Sequence, residues 1–96
     1  MYFCEINCLV SDIRKMLSYN NSYFYKELIY ENVDKDLLEE DIGLLINKKL
    51  GGILISSSKY NCSILFDNQY LINIYYFSEC DQFDNCIITF IINYLY

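Results

Sequence analysis

Histidine, proline, tryptophan and alanine are missing from this chain, and arginine occurs once, at Arg14. Without histidine there is no imidazole general base, no Ser-His or Cys-His nucleophile pair and no His-containing zinc site. Glycine is confined to Gly43, Gly51 and Gly52. Gly51-Gly52 follows an expected helix rather than opening one, so it does not form a phosphate-cradling loop. No run reaches the ~18 apolar residues that a membrane-spanning helix needs, the longest dense stretch being Cys86 to Tyr96. Basic residues are also few, seven against thirteen acidic, for a net charge of −6. Nucleic-acid affinity rests on Lys and Arg neutralising phosphates, so direct DNA or RNA binding is disfavoured, as is an anionic membrane surface. Nothing in the residues requires catalysis, and the expectation is a non-enzymatic protein without cofactor or metal.

What is present is apolar and aromatic. Ninety-six residues suffice for one domain, and a chain of that length buries only about 60 to 65 % of its unfolded surface. A hydrophobic fraction of 54 % with 18 % aromatics therefore supplies a core and leaves apolar area for a partner. Ile, Tyr and Asn are over-used while residues with GC-rich codons nearly vanish, which marks an AT-rich gene and lowers the weight of tyrosine and asparagine as functional signals. The five cysteines, Cys4, Cys8, Cys62, Cys80 and Cys86, are odd in number. They lack framework spacing and follow no secretory segment, which predicts free thiols in a reducing intracellular compartment.

Along the chain, Ile6, Leu9, Val10, Ile13, Met16 and Leu17 recur at helical spacing and predict an amphipathic helix. Tyr19-Asn20-Asn21-Ser22 reads as a break in which Ser22 caps the next element. Tyr23 to Val33 reads as a shorter second helix with Phe24, Tyr25, Leu28 and Ile29 on one side; a strand is the alternative, because its aromatic residues also suit a sheet. The third helix starts at Asp36, with Glu39 completing a capping box, and ends at Lys48 and Lys49 before Gly51. Ile53-Leu54-Ile55 and Cys62 to Phe66 form a hairpin across a polar loop. Asp67-Asn68 makes a turn, and Gln69 to Phe77 continues as a strand. Residues 86–96 fit either a helix behind an Asp84 cap or a strand pairing with Gln69 to Phe77, and their composition leans to the strand.

Two resemblances attach to these residues. The run Leu38-Glu39-Glu40-Asp41-Ile42-Gly43-Leu44-Leu45-Ile46-Asn47-Lys48-Lys49-Leu50-Gly51-Gly52-Ile53-Leu54-Ile55, and residues 38–66 as a whole, resemble the last helix and wing of PCI-type or cullin-type winged-helix scaffold domains. That implies a non-catalytic scaffold. Phe66-Asp67-Asn68-Gln69-Tyr70-Leu71 with Tyr75-Tyr76 is similar to a hairpin of small acidic anti-CRISPR inhibitors, which implies a protein that occupies a basic nucleic-acid channel.

The sequence thus predicts an α+β domain spanning 1–96, with a helical part (1–52) and a mainly β part (53–96). Its form would be winged-helix-like: three N-terminal helices, an antiparallel hairpin or small sheet, and a C-terminal β extension. The expected function is a protein-protein interaction module within a larger assembly, with an acidic inhibitor of a nucleic-acid-binding complex as the alternative. The expected partner is a protein, a basic surface of a larger complex being one candidate and a second copy another. Glu39, Glu40, Asp41, Tyr70 and Tyr76 are the candidate contact residues.

Overall fold

A computed structural model describes residues 3–19 and 23–95, with residues 23, 24 and 95 described by backbone alone. Ser22, the expected cap, lies outside them. The stripe at Ile6, Leu9, Val10, Ile13, Met16 and Leu17 becomes the buried face of helix α1 (Cys4–Leu17). Gly51, at φ 84°, ends helix α2 (Ile42–Leu50) in the left-handed conformation that glycine adopts without strain. Between the helices the chain forms strand β1 (Tyr23–Val33) and a short 3-10 turn, Lys35–Glu39. Strands β2 (Ile53–Ser57), β3 (Asn61–Phe66), β4 (Tyr70–Cys80) and β5 (Cys86–Leu95) follow as a meander.

The expectation of three helices followed by a small hairpin is overturned. Among the described residues there are two α-helices and one antiparallel five-stranded sheet in the order β1-β5-β4-β3-β2. The segment read as a second helix is β1, an edge strand inside the part expected to be helical, running its length against β5 from Tyr23↔Leu95 to Tyr30↔Ile88. Its Tyr, Phe and Ile residues suit a pleated surface, and both of its faces carry apolar side chains, so neither a 3.6 nor a 2.0 period stands out. The third helix is also divided. Asp36 and Glu39 fall in the 3-10 turn, where Asp34 Oδ1 accepts from the Asp36 amide at 3.0 Å, and the cap of α2 is Asp41 instead. The C-terminal ambiguity resolves as β5, paired with β4 from Leu71↔Leu95 to Cys80↔Cys86.

Both helices lie on one face of the sheet. Ile64, Ile72, Ile74, Ile88, Phe90, Ile92 and Tyr94 project from the strands into the same buried cluster as Leu9, Ile13, Ile46 and Leu50. Each fully buried aliphatic or aromatic side chain contributes roughly 1.5–3 kcal/mol. Arg14 joins the helices: its Nη2 donates to the carbonyls of Lys49 (2.9 Å) and Leu50 (3.2 Å), satisfying the end of α2 from α1. Gly43 lets α2 approach the sheet, since a Cβ there would stand 2.7 Å from Cys62 Cβ and collide with Ser57 Oγ. Two irregularities reset which side chains face inward. The register of β1 shifts between Tyr30 and Val33, with Asn32 at φ 54°, and this turns Val33 into the core. The register of β2 shifts between Leu54 and Ser56.

Candidate functional site

The residues proposed from sequence divide by layer. Glu39 ends the 3-10 turn, Glu40 and Asp41 follow it, and all three border a shallow depression together with Ser57, Lys59 and Tyr76. Asp41 is held internally: its Oδ1 accepts from the Leu44 amide at 3.1 Å and from Ser57 Oγ at 2.7 Å. Tyr76 is 3 % exposed, and its hydroxyl donates to the carbonyls of Ser58 (2.8 Å) and Asn61 (3.1 Å), anchoring the β2–β3 loop. Tyr70 is also buried and stacks edge-on against Tyr94 with ring centroids 5.5 Å apart. Both tyrosines occupy even positions of β4, which face the helices; at these positions their rings fill the core and leave no contact surface. Glu39 and Glu40 remain exposed.

Cysteine chemistry differs from the expectation of free thiols throughout. Cys80 and Cys86, directly paired across β4 and β5, form a disulfide, while Cys4, Cys8 and Cys62 are free. Burial, reinforced by the Asp41 charge, pushes the Cys62 thiol up to about 12, so it is protonated at neutral pH and is no nucleophile. Burial likewise raises the Tyr30 hydroxyl to about 12. The loop beyond the disulfide is organised by Asp81, whose Oδ1 accepts from the amides of Phe83 (2.8 Å) and Asn85 (3.0 Å). Its Oδ2 accepts from Asn85 Nδ2 at 3.1 Å. The Asn85 and Phe83 hydrogen bonds hold its pKa below the ordinary value. Among the described residues, no group of three or more His, Cys, Asp or Glu is placed to hold a metal ion. No helix among them is long and apolar enough to cross a membrane.

The feature absent from the sequence reading is the sheet face opposite the helices. In β4 the odd positions Leu71, Asn73, Tyr75, Phe77 and Glu79 point away from the core. The register sets Asn73 beside Asn93, Tyr75 beside Ile91, Phe77 beside Thr89 and Glu79 beside Ile87. Strand β1 continues these rows with Tyr25, Glu27 and Ile29, and β3 with Ser63 and Leu65. Tyr25, Ile29, Ile53, Leu71, Tyr75, Phe77 and Ile87 are each between 39 % and 58 % exposed. A polar row crosses the middle, where Ser63 Oγ donates to Asn73 Oδ1 at 2.7 Å. The available signal was the odd-numbered apolar residues of Gln69 to Phe77, which alternate with the buried ones.

The chain matches no family model, no curated protein and no solved structure. The functional reading therefore rests on this geometry.

Proposed function

We propose that the chain is a non-catalytic protein-protein interaction module whose contact surface is the open face of the sheet. The observation that carries this is the asymmetry of the two layers: α1 and α2 cover one face, while the other presents seven large apolar side chains to solvent. Monomeric soluble proteins rarely expose contiguous apolar patches of more than a few hundred Å², and larger ones mark contact sites. Three strands of ten or eleven residues and two of five or six, at ~3.3 Å per residue and ~4.8 Å between strands, give the whole face, its polar row and carboxylates included, a footprint of about 700 Å². That is close to the roughly 800 Å² that each partner brings to a standard interface.

A second reading, an acidic inhibitor of a nucleic-acid-binding complex, is favoured by one observation: Glu27, Glu31 and Glu79 lie on that face with no Lys or Arg among its described residues. Both readings share the surface and differ in what drives the contact. An intracellular location goes with either. Free Cys4, Cys8 and Cys62 suit it, and the Cys80–Cys86 bond, which fits a reducing cytoplasm poorly, spans a sequence separation of only 6 in a hairpin that the strand ladder already holds.

The test is affinity capture from the native source with the full chain, comparing Ile29→Ser/Phe77→Ser with Glu39→Lys/Glu40→Lys, each verified as folded by circular dichroism. Partners held by the wild type should be lost from the first variant and retained by the second. The opposite pattern would transfer the contact to the helix layer and refute the proposal.

A further inference from the structure

We infer that the open face takes a protein partner whose contact surface is apolar and edged with Lys or Arg, and not a second copy of this chain. This rests on the open face being the contact surface, and it adds the chemistry of the occupant. The charged groups on the face are Glu27 on β1, Glu31 beside the β1 irregularity, and Glu79 on β4. Glu31, Glu79 and Asp81 line one shallow depression together with Ile87. Glu27 pairs with Ile91, next to Tyr75. The carboxylates thus sit within and at one end of the apolar surface.

The cations are elsewhere. Lys15 and Arg14 are on α1, Lys48 and Lys49 on α2, and Lys59 in the β2–β3 loop. Lys35 is bonded to Asp84 at 3.2 Å. Lys26, on β1, pairs with buried Ile92 and so lies on the helix side. Stacking two such faces would cover carboxylates from both copies without bringing one described cation to meet them, and covering an unpaired charge is strongly unfavourable. The face has the area of a standard interface but lacks the charge for self-pairing. A partner that supplies Lys or Arg around an apolar centre removes the penalty and gains complementarity. Phosphate backbones and anionic headgroups are repelled by the same carboxylates.

The experiment uses three probe peptides, alternating Lys/Leu, Ser/Leu and Glu/Leu, titrated into the full chain and followed by amide chemical shifts, with sedimentation of the chain alone alongside. The expected result is binding of the Lys/Leu peptide with shifts centred on Tyr25, Ile29, Tyr75, Phe77 and Ile87. Affinity should weaken about tenfold in Glu27→Gln/Glu31→Gln/Glu79→Gln, and the Glu/Leu peptide should leave the face unshifted. Equal binding of all three peptides at the face would overturn the cationic partner while leaving the face as the contact surface. A concentration-dependent dimer whose shifts fall on the face would do the same in favour of a second copy. Shifts confined to Glu39, Glu40 and Asp41 would overturn both.

Discussion

Asp41 separates a structural from a contact role most sharply, because the sequence offers it as a partner-binding acid and the structure gives it two internal bonds. Replacing it with Ala removes the cap to Leu44, which costs about 1 kcal/mol, and the hydrogen bond from Ser57, worth about 0.5–1.5 kcal/mol. The combined loss is about 2 kcal/mol, which in a domain of this size lowers the melting temperature by roughly 10 °C. Asp41→Asn keeps an acceptor for both donors and should stay within about 0.5 kcal/mol of wild type. Ser57→Ala removes only the second bond, so a double-mutant cycle with Asp41→Ala should show coupling of about 0.5–1.5 kcal/mol. Urea denaturation followed by far-UV circular dichroism measures wild type and the variants alike. A folded Asp41→Ala within about 0.5 kcal/mol of wild type would refute the capping argument. Loss of partner binding in a fully stable Asp41→Asn would return the residue to the contact surface.

Gly43→Ala should destabilise by about 1–3 kcal/mol, because its methyl group meets Ser57 and Cys62 where α2 lies on the sheet; an unchanged urea midpoint would mean the helix can lift away. Reduction of Cys80–Cys86 should cost about 2 kcal/mol, as expected for so short a closed loop, and leave the circular dichroism spectrum in place; global unfolding on reduction would contradict the view that the β4–β5 ladder holds the hairpin. The third expectation concerns alkali. Folding raises Cys62 from 9.0 and Tyr30 from 10.0 to about 12, so the folded chain keeps protons that the unfolded chain releases. Their stabilising contribution is complete below pH 9 and is lost as pH rises towards 12, which a falling urea midpoint over that window would record. A midpoint that stays flat would show that the two groups are solvated.

The legible parts of the fold were those with a single apolar face. Helix α1 carries charges at Asp12, Arg14 and Lys15 opposite its stripe, so its period is unambiguous. Gly51 marks the end of α2 because φ 84° suits glycine, and Asp67 and Asn68 mark a turn because both tolerate φ near 55°. Strand β1 was illegible for the converse reason: Leu28 and Tyr30 face the core while Tyr25 and Ile29 face outward, and a segment apolar on both sides offers no contrast. The same doubling hid the open face, since Tyr70 and Tyr76 stand out in sequence no more than Tyr75 and Phe77 do. The cap was displaced because Asp34, Asp36 and Asp41 all have capping chemistry, and the local break that selects two of them depends on Leu37 being buried in the core.

An AT-rich gene fills surface positions with Ile, Tyr, Asn and Phe whatever their use, and the open face holds all four, so composition alone could account for its apolar character. Lysine provides the control, because its codons are about as rich in A and T as those of isoleucine and asparagine. Seven basic residues less Arg14 leave six lysines. Drift would scatter them over every exposed surface. They fall on α1, α2, the 3-10 turn, the β2–β3 loop and the helix side of β1, and none lies on the described open face. An AT-rich mutation bias would supply the isoleucines and tyrosines of that face but would not remove lysine from it. The cationic partner proposed above would, because a lysine there would repel it and sit among side chains that the interface covers. Introducing one tests the point: Thr89→Lys, between Ile29 and Phe77 in the register, should leave the fold stable and weaken partner capture at least tenfold. Undiminished capture by that variant would return the open face to composition.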